Sequence, residues 1–549
     1  RVAALEKSID SAEDELEHLV AAAAKTHHLR AEHPAGKANW HPEGAVGGLA
    51  AVGAPGIKGP GAAEHPILAL DEAAFRSTPM DALMAQYGTS GGGGSCDGDF
   101  GMGLIERWRG TGAPYCQARS ETSTNLECYL VHQTKHHGGG DQLCLGTNVR
   151  IDYGRAGFAD DGVTGGVVRN YIATKQGQRA GTLGIEYPTG TWGGTCDLDQ
   201  SLWKVDGSFP GWNLDWRNAF QSVPGSGGGG GSDVELECDV WEEQPTLVLQ
   251  RDTFANFFHN SEDFFNTFIA LAVLQWGTAD LQIVLADLYP KGPFWDIWSR
   301  VFKGAYAPLT AWDLKQKYGT KKVCYRKMAI GILGAASPIT VASWRTPCVH
   351  TPLVRAYADF VVRGLDLHGA THYAQPAPPR TVTITWMARR ASSQWPERRF
   401  CDSANSFFKC EDWSHLDKRS LGRMVRNDAE VVASLKKLEE QHFDNGAQVI
   451  FRDVDFNLLT FEEQIRTDVT TDIMIGPHGA GLMHNIFMPD RATLVELHID
   501  GSGANQHFHN LAHWQGRQYV AKTSRNPIDV EDLYRTIEGL VKGMDLRKY

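Results

Sequence analysis

The segment IMIGPHGAGLMHNIFMPD, residues 473–490, sets a histidine among glycines between two apolar stretches. The first stretch has the character of a buried strand and the second of a helix. Gly479, Ala480 and Gly481 would let the backbone approach a ligand closely, and the positive end of a helix dipole favours an anion such as a diphosphate. His478 then stands at the strand tip, placed to donate a hydrogen bond to a phosphate or leaving-group oxygen. Four arginines, Arg389, Arg390, Arg398 and Arg399, follow the strand TVTITWM at the matching edge of the same region. Guanidinium forks suit phosphate oxygens, although a basic solvated loop has the same composition. Glu496 ends the strand after the turn, where a carboxylate could hold ribose hydroxyls or sit as a surface charge.

Rival chemistries are weaker. The Asp-x-Asp pairs Asp97/Asp99, Asp197/Asp199 and Asp453/Asp455 are of the type that holds a divalent cation against a diphosphate. The His478 turn supplies diphosphate contacts without one, so no metal or other cofactor is expected and the pairs are assigned to turns and surface. His509 and His513 would share a helix face with His507 pointing away, and no carboxylate or thiolate falls at zinc-site spacing. Trp295, Trp298 and Trp344 could stack on sugar rings or fill the core. Neither a Gly-x-Ser-x-Gly elbow after a strand nor a Walker A loop is present.

The elements that must position these residues follow from periodicity. From about residue 238, strand-like runs (PTLVLQRD, LQIVLADL, KKVCYRKMAIGI) alternate with helical ones, and after the Pro-rich joint HYAQPAPPR the alternation repeats. Thr460 and Glu463 form a capping box at one helix start. Such alternation predicts parallel β-α-β layers, so the fold class is α/β with two Rossmann-like lobes and a ligand cleft between them. Apolar residues at Leu5, Ile9, Ala12, Leu16, Leu19 and Ala23 make a heptad seam, suited to a homodimeric stalk or to a lone amphipathic helix. The expected organisation is a stalk helix over 1–30 and a flexible linker over 31–95. An acceptor-side lobe with a disulfide-pinned cysteine region and glycine-rich inserts covers 96–375, a nucleotide-binding lobe 376–525, and a terminal helix 526–549.

A net charge of −12 argues against a nucleic-acid partner. Ten cysteines with no Cys-x-x-Cys pair point to a disulfide framework, with scattered thiols as the alternative. No apolar run of membrane-spanning length occurs, and because the chain begins at Arg1 the expectation is that an upstream signal or anchor is missing from it.

The block FEEQ…TDIMIGPHGAGLMHNIFMPDRATLVEL resembles glycosyltransferase family 61, inverting enzymes of the two-lobed GT-B type. ANFFHNSEDFFN is similar to the family's Asn-x-x-His-x-x-x-Asp helix start, VCYRKMAIGILG to its cysteine-containing strand, and TWMARR to its strand ending in a donor-contacting arginine. The resemblance spans roughly residues 240–525, with the HGAGL block its specific part. It implies that His478, Gly479, Ala480 and Gly481 bind the diphosphate of a UDP-sugar, that Arg389 or Arg390 pairs with it, and that Glu496 reaches the ribose. It further implies that Asp263 is the base that deprotonates the acceptor hydroxyl, with His259 on the same helix face and Glu262 the competing carboxylate; Asp263 could equally serve only to orient His259. HFHNLAHWQGRQY and the cysteine-rich block look most like the N-glycan β-1,2-xylosyltransferase branch. The implied reaction is therefore metal-independent transfer of xylose from UDP-xylose to the core mannose of N-glycans, in the Golgi lumen, by a type II membrane protein. A UDP-GlcNAc or other pentose transferase acting on protein or polysaccharide, and a catalytically silent glycan-binding or scaffolding relative, remain alternatives.

Overall fold

The computed structural model describes residues 65–131, 141–158, 184–198, 220–222, 236–251, 254, 256–332, 337–340, 344–371, 380–390, 407, 423–499 and 502–546. All of them belong to one compact unit, residues 58–549. The expected stalk helix, the linker as far as residue 64, the glycine tract at 225–232, most of the insert after 158, the joint at 372–379, and Arg398 and Arg399 lie outside the described residues.

The first sheet contains β1 (Ala113–Ala118), β2 (Asn125–Val131), β3 (Asp141–Asp152), β4 (Trp192–Gly194), β5 (Cys196–Leu198), β6 (Phe220–Ser222), β7 (Val240–Glu242), β8 (Thr246–Leu249), β9 (Gln282–Leu285), β10 (Leu309–Thr310) and β11 (Lys322–Ile330). Its main path runs β10-β9-β8-β11-β3-β2-β1-β5. β10, β9, β8 and β11 are parallel, and counted along the chain they fall in the order 3-2-1-4 of half a dinucleotide-binding sheet. TLVL and QIVL are buried at every position, as strands covered on both faces must be. Beyond β11 the sheet turns antiparallel and takes in the cysteine region. That region is thus an extension of the first sheet.

Four disulfides support it. Cys128–Cys144 joins β2 to β3, Cys116–Cys196 joins β1 to β5, Cys238–Cys324 ties the approach to β7 onto β11, and Cys96–Cys348 spans 252 residues. Cys401 and Cys410 lie outside the described residues.

Residues 65–95 were expected to be part of a flexible linker, and the structure differs. Ile67, Phe75, Met80, Leu83 and Met84 are buried in the main core, and Met80 N–H donates to the Trp276 carbonyl at 3.1 Å. The glycine tract at 88–95 is packed as well. Gly91 exchanges backbone hydrogen bonds with Val349, and a Cβ on Gly92 (φ +99°) would come within 2.1 Å of the Pro347 carbonyl oxygen. Close approach, not looseness, is what these glycines provide.

Helix α1 (Phe257–Leu274) crosses from β8 to β9. Asn256 caps it, accepting from Phe258 N–H at 3.1 Å, and the helix is buried almost all round, as its phenylalanine-rich sequence requires. Helix α2 (Pro352–Gly364) packs on the same core.

The second sheet comprises β12 (Thr381–Met387), β13 (Gln448–Val454), β14 (Ile473–Pro477), β15 (Thr493–His498) and β16 (Gln518–Thr523), all parallel, in the order β13-β12-β14-β15-β16. Counted from β12 this is 2-1-3-4-5, so the direction of winding reverses between β12 and β14, and the carboxyl ends of those strands open a crevice where ligands bind in such sheets. One face is covered by α3 (Asp428–Lys436) and α6 (Val530–Gly543). On the other face Met387, Met474, Leu482, Met483 and Ile486 join the core built by α1 and α2, so the two sheets share one hydrophobic interior. The capping box of Thr460 and Glu463 is formed, and it opens α4 (Phe461–Asp468).

A buried ionic cluster also crosses this interior. His65 Nδ1 lies 2.8 Å from Asp359 and its Nε2 3.4 Å from Asp490, while Arg355 reaches Asp490 at 3.4 Å. Burial alone would lower the His65 pKa, but Asp359 and Asp490 outweigh it and hold the ring up at about 9. Among the described residues no helix is long and apolar enough to cross a membrane.

Candidate functional site

The crevice at the β12/β14 reversal holds the residues that the sequence placed together. β12 delivers Arg389 and β14 delivers His478, whose N–H donates to the Leu497 carbonyl at 3.0 Å and extends the ladder by one residue. A 3₁₀ helix, Ala480–Phe487, follows. Its first internal bond runs from Leu482 N–H to the Gly479 carbonyl at 2.9 Å, so the amides of Gly479, Ala480 and Gly481 precede the helical ladder. Gly479 makes room for two guanidinium groups: a Cβ there would stand 2.9 Å from Arg389 Nη1 and 3.8 Å from Arg423 Nη1. Arg423 also donates to the His478 carbonyl at 3.3 Å.

The two arginines that sequence left as alternatives part company. Arg390 donates to Asp428 at 2.8 Å and to both oxygens of Asp453 at 2.7 and 2.9 Å. Burial works against its charge, but the two carboxylates more than offset it and raise its pKa. Arg389 is the one beside the glycine turn.

Glu496 is fully buried. Its Oε1 accepts from His478 Nδ1, and its Oε2 accepts from the Tyr519 hydroxyl at 2.7 Å. Burial, then the Glu496 charge, pushes the Tyr519 pKa up, so the hydroxyl keeps its proton. The ribose contact expected of Glu496 is at odds with this geometry, because both of its oxygens face protein partners inside the sheet. His498 completes the cluster, with Nε2 3.3 Å from Tyr519 Oη and its ring stacked 5.7 Å from that of His478. His478, Glu496 and His498 are ligand types for zinc, and their donor atoms lie within 4.8 Å of one another. Within this set His478 and Glu496 are joined directly by a hydrogen bond.

The first turn of α1 faces this crevice. His259 Nδ1 lies 2.9 Å from Glu262 Oε2; Glu262 is fully buried, while 22% of the His259 side chain is exposed. Glu262 is therefore a carboxylate that orients His259, and Asp263 is 5% exposed. Phe258 lies 4.7 Å from the His507 ring and 6.1 Å from that of Phe508, and Phe508 meets His478 edge-on at 5.3 Å. One residue earlier, Phe257 packs 4.3 Å from His484, which bonds Asp468 at 2.5 Å. Burial drives the His484 pKa down to about 3 and that of Asp468 well up, so the pair is held without net charge.

The remaining candidates separate by burial. Trp298 is core, edge-on to Phe264 at 5.0 Å, whereas Trp295 is partly exposed beneath Lys291. His509 and His513 stack at 5.6 Å on one face of α5 (His507–Trp514), and Asp453 is an ion-pair partner of Arg390.

Residues 257–495, from the first residue of α1 into β15, match the glycosyltransferase 61 family. The chain carries a family 61 glycosyltransferase domain. Relatives of the family 61 domain include the "EGF domain-specific O-linked N-acetylglucosamine transferase" of Drosophila melanogaster, 27% identical over 270 residues, which are 48% of this chain and 42% of the relative. The proteins of the same description from Bos taurus and Canis lupus familiaris are each 26% identical, over 54% and 63% of this chain and 48% and 57% of theirs. The chain thus spans about half the length of the curated relatives it matches.

The sequence reading of the family 61 domain missed Arg423 and Tyr519. The basic run KRSLGRMVR just ahead of α3 is the one signal that could have brought Arg423 forward. Tyr519 gave none, since its contact with Glu496 depends on how β16 registers against β15.

Proposed function

We propose that this chain is an inverting glycosyltransferase that binds the diphosphate of a UDP-sugar at the His478 turn. The observation that carries this reading is the convergence of Arg389 and Arg423 on Gly479 at the β12/β14 reversal, within the segment matched to family 61. First-turn amides, two guanidinium groups and an imidazole together neutralise a leaving diphosphate without a metal. On the acceptor side His259, held by Glu262 and with its ring edge exposed, serves as the general base. Asp263 lies deeper and supports that turn. The half-buried rings of Phe258 and His507 offer apolar surface between the two groups, suited to the face of a sugar.

The descriptions of the relatives favour N-acetylglucosamine as the transferred sugar and an EGF-type protein domain as the acceptor. Xylose transfer to N-glycans, favoured by the sequence resemblance in 507–519, is the second reading. The disulfides suit an oxidising lumen such as that of the endoplasmic reticulum or Golgi. The test is UDP release from a panel of UDP-sugars with EGF-domain and trimmed N-glycopeptide acceptors, in EDTA, with products read by mass spectrometry. Turnover of UDP-GlcNAc on the EGF domain is expected. Turnover of UDP-xylose on the glycopeptide alone would install the second reading, and persistent UDP binding with no transfer from any donor would favour a scaffolding role.

A further inference from the structure

Resting on the assignment of the His478 turn to the donor diphosphate, we propose that Glu496 and Tyr519 form a buried positioning relay. The relay holds the Nδ1–H and the direction of the His478 ring, so that Nε2, once it too is protonated, donates to the diphosphate. Neither residue touches substrate in this reading, and both lie beyond the segment matched to family 61.

Three observations support the relay. First, a carboxylate accepts hydrogen bonds and cannot donate them, so the His478 Nδ1–Glu496 Oε1 contact places a proton on Nδ1; Nε2 is then the atom that faces a ligand, and it donates to an anionic oxygen when the ring carries its second proton there. Second, Glu496 sits on a strand paired on both sides, by β14 and β16, and is fully buried. A carboxylate in that place needs internal partners, and it has them in His478 and, through Oε2, in the Tyr519 hydroxyl. Third, the ring so held is not sealed in: 9% of the His478 side chain reaches solvent, at the strand tip beside the amides of the glycine turn. His498 stacks on one side and Phe508 meets the ring edge-on, so the imidazole has little freedom to flip. The arrangement matches the way a hydrogen-bonded carboxylate orients a functional histidine in many sites, where loss of the outer partner costs roughly one to two orders of magnitude in function.

The experiment uses the whole chain labelled with ¹⁵N-histidine, UDP as probe, and the variants Glu496→Gln, Tyr519→Phe and His478→Ala. In the wild type the His478 ring should carry a proton on Nδ1, and with UDP bound a second one on Nε2. Glu496→Gln should give a mixed or reversed tautomer and weaken UDP about ten-fold or more. Tyr519→Phe, the milder change should Glu496→Gln fail to fold, should weaken UDP about three-fold with the fold intact. A wild-type ring protonated on Nε2 alone overturns the relay. So does a folded Glu496→Gln, or a Tyr519→Phe, that binds UDP as the wild type does. If His478→Ala itself leaves UDP affinity unchanged, the donor-site assignment fails instead, which keeps the two failures apart.

Discussion

Arg389 and Arg390 are adjacent in sequence, yet the structure gives them different partners, and UDP affinity can tell them apart. Arg389 lies against Gly479, within reach of a diphosphate bound at that turn. A hydrogen bond to a charged group contributes about 1.5–3 kcal/mol, so Arg389→Ala should raise the Kd for UDP by roughly 10- to 150-fold. Arg390 spends its donors on Asp428 and Asp453, whose side chains are 20% and 32% exposed. Partly solvated pairs of this kind contribute about 1 kcal/mol at most, so Arg390→Ala should lower the melting temperature by a few degrees and leave UDP affinity within about three-fold. Titration calorimetry with UDP at two salt concentrations, beside thermal melts, measures both quantities. A ten-fold or greater loss of UDP affinity in Arg390→Ala, with Arg389→Ala binding normally, would refute the reasoning.

Three further outcomes follow from the same geometry. His478→Ala should weaken UDP by a similar factor and also destabilise the fold by about 1–3 kcal/mol, seen in urea titration, because fully buried Glu496 loses a partner. The His65 pKa is raised from 6.5 to about 9, so the stability it contributes is complete below about pH 6.5 and is lost as pH rises through 9. The unfolding free energy from urea titration should therefore fall between pH 7 and 9.5 in the wild type, by an amount on the order of 3 kcal/mol relative to a flatter His65→Gln profile. Converting His259 to Ala should reduce transfer by about 10²- to 10⁴-fold with UDP affinity unchanged; equal turnover would return the base role to Asp263.

Much of the β12/β14 crevice was legible in the sequence because it is local. TVTITWM, IMIGP and TLVELH are unbroken apolar runs and become the buried central strands, and the His-Gly turn lies directly behind one of them. What stayed hidden depends on distant partners. Which arginine meets the turn is settled by Asp428 and Asp453, tens of residues downstream. Glu496 looked like a strand-end charge, but its strand turned out to be central, and burial on both sides forces its oxygens onto His478 and Tyr519. Tyr519 reaches it because Leu494, two residues before Glu496 on β15, is its register partner. The His259–Asp263 spacing of one helical turn drew attention first, and the structure adds a bond at the three-residue spacing to Glu262. The cysteine-rich strands gave no hint that they would continue the first sheet, since β3 pairs with a strand some 170 residues later.

That long pairing has a consequence for biogenesis. β3 finds its neighbour only when Lys322–Ile330 has been synthesised, so a growing chain carries β1–β3 with an open hydrogen-bonding edge until then. The Cys128–Cys144 link can close within a hairpin as soon as both cysteines emerge, but Cys96 must wait for Cys348. The amino-terminal half is therefore begun first and finished late, and slowing oxidation or crowding the nascent chain should harm this portion of the molecule before the parallel sheet that follows it.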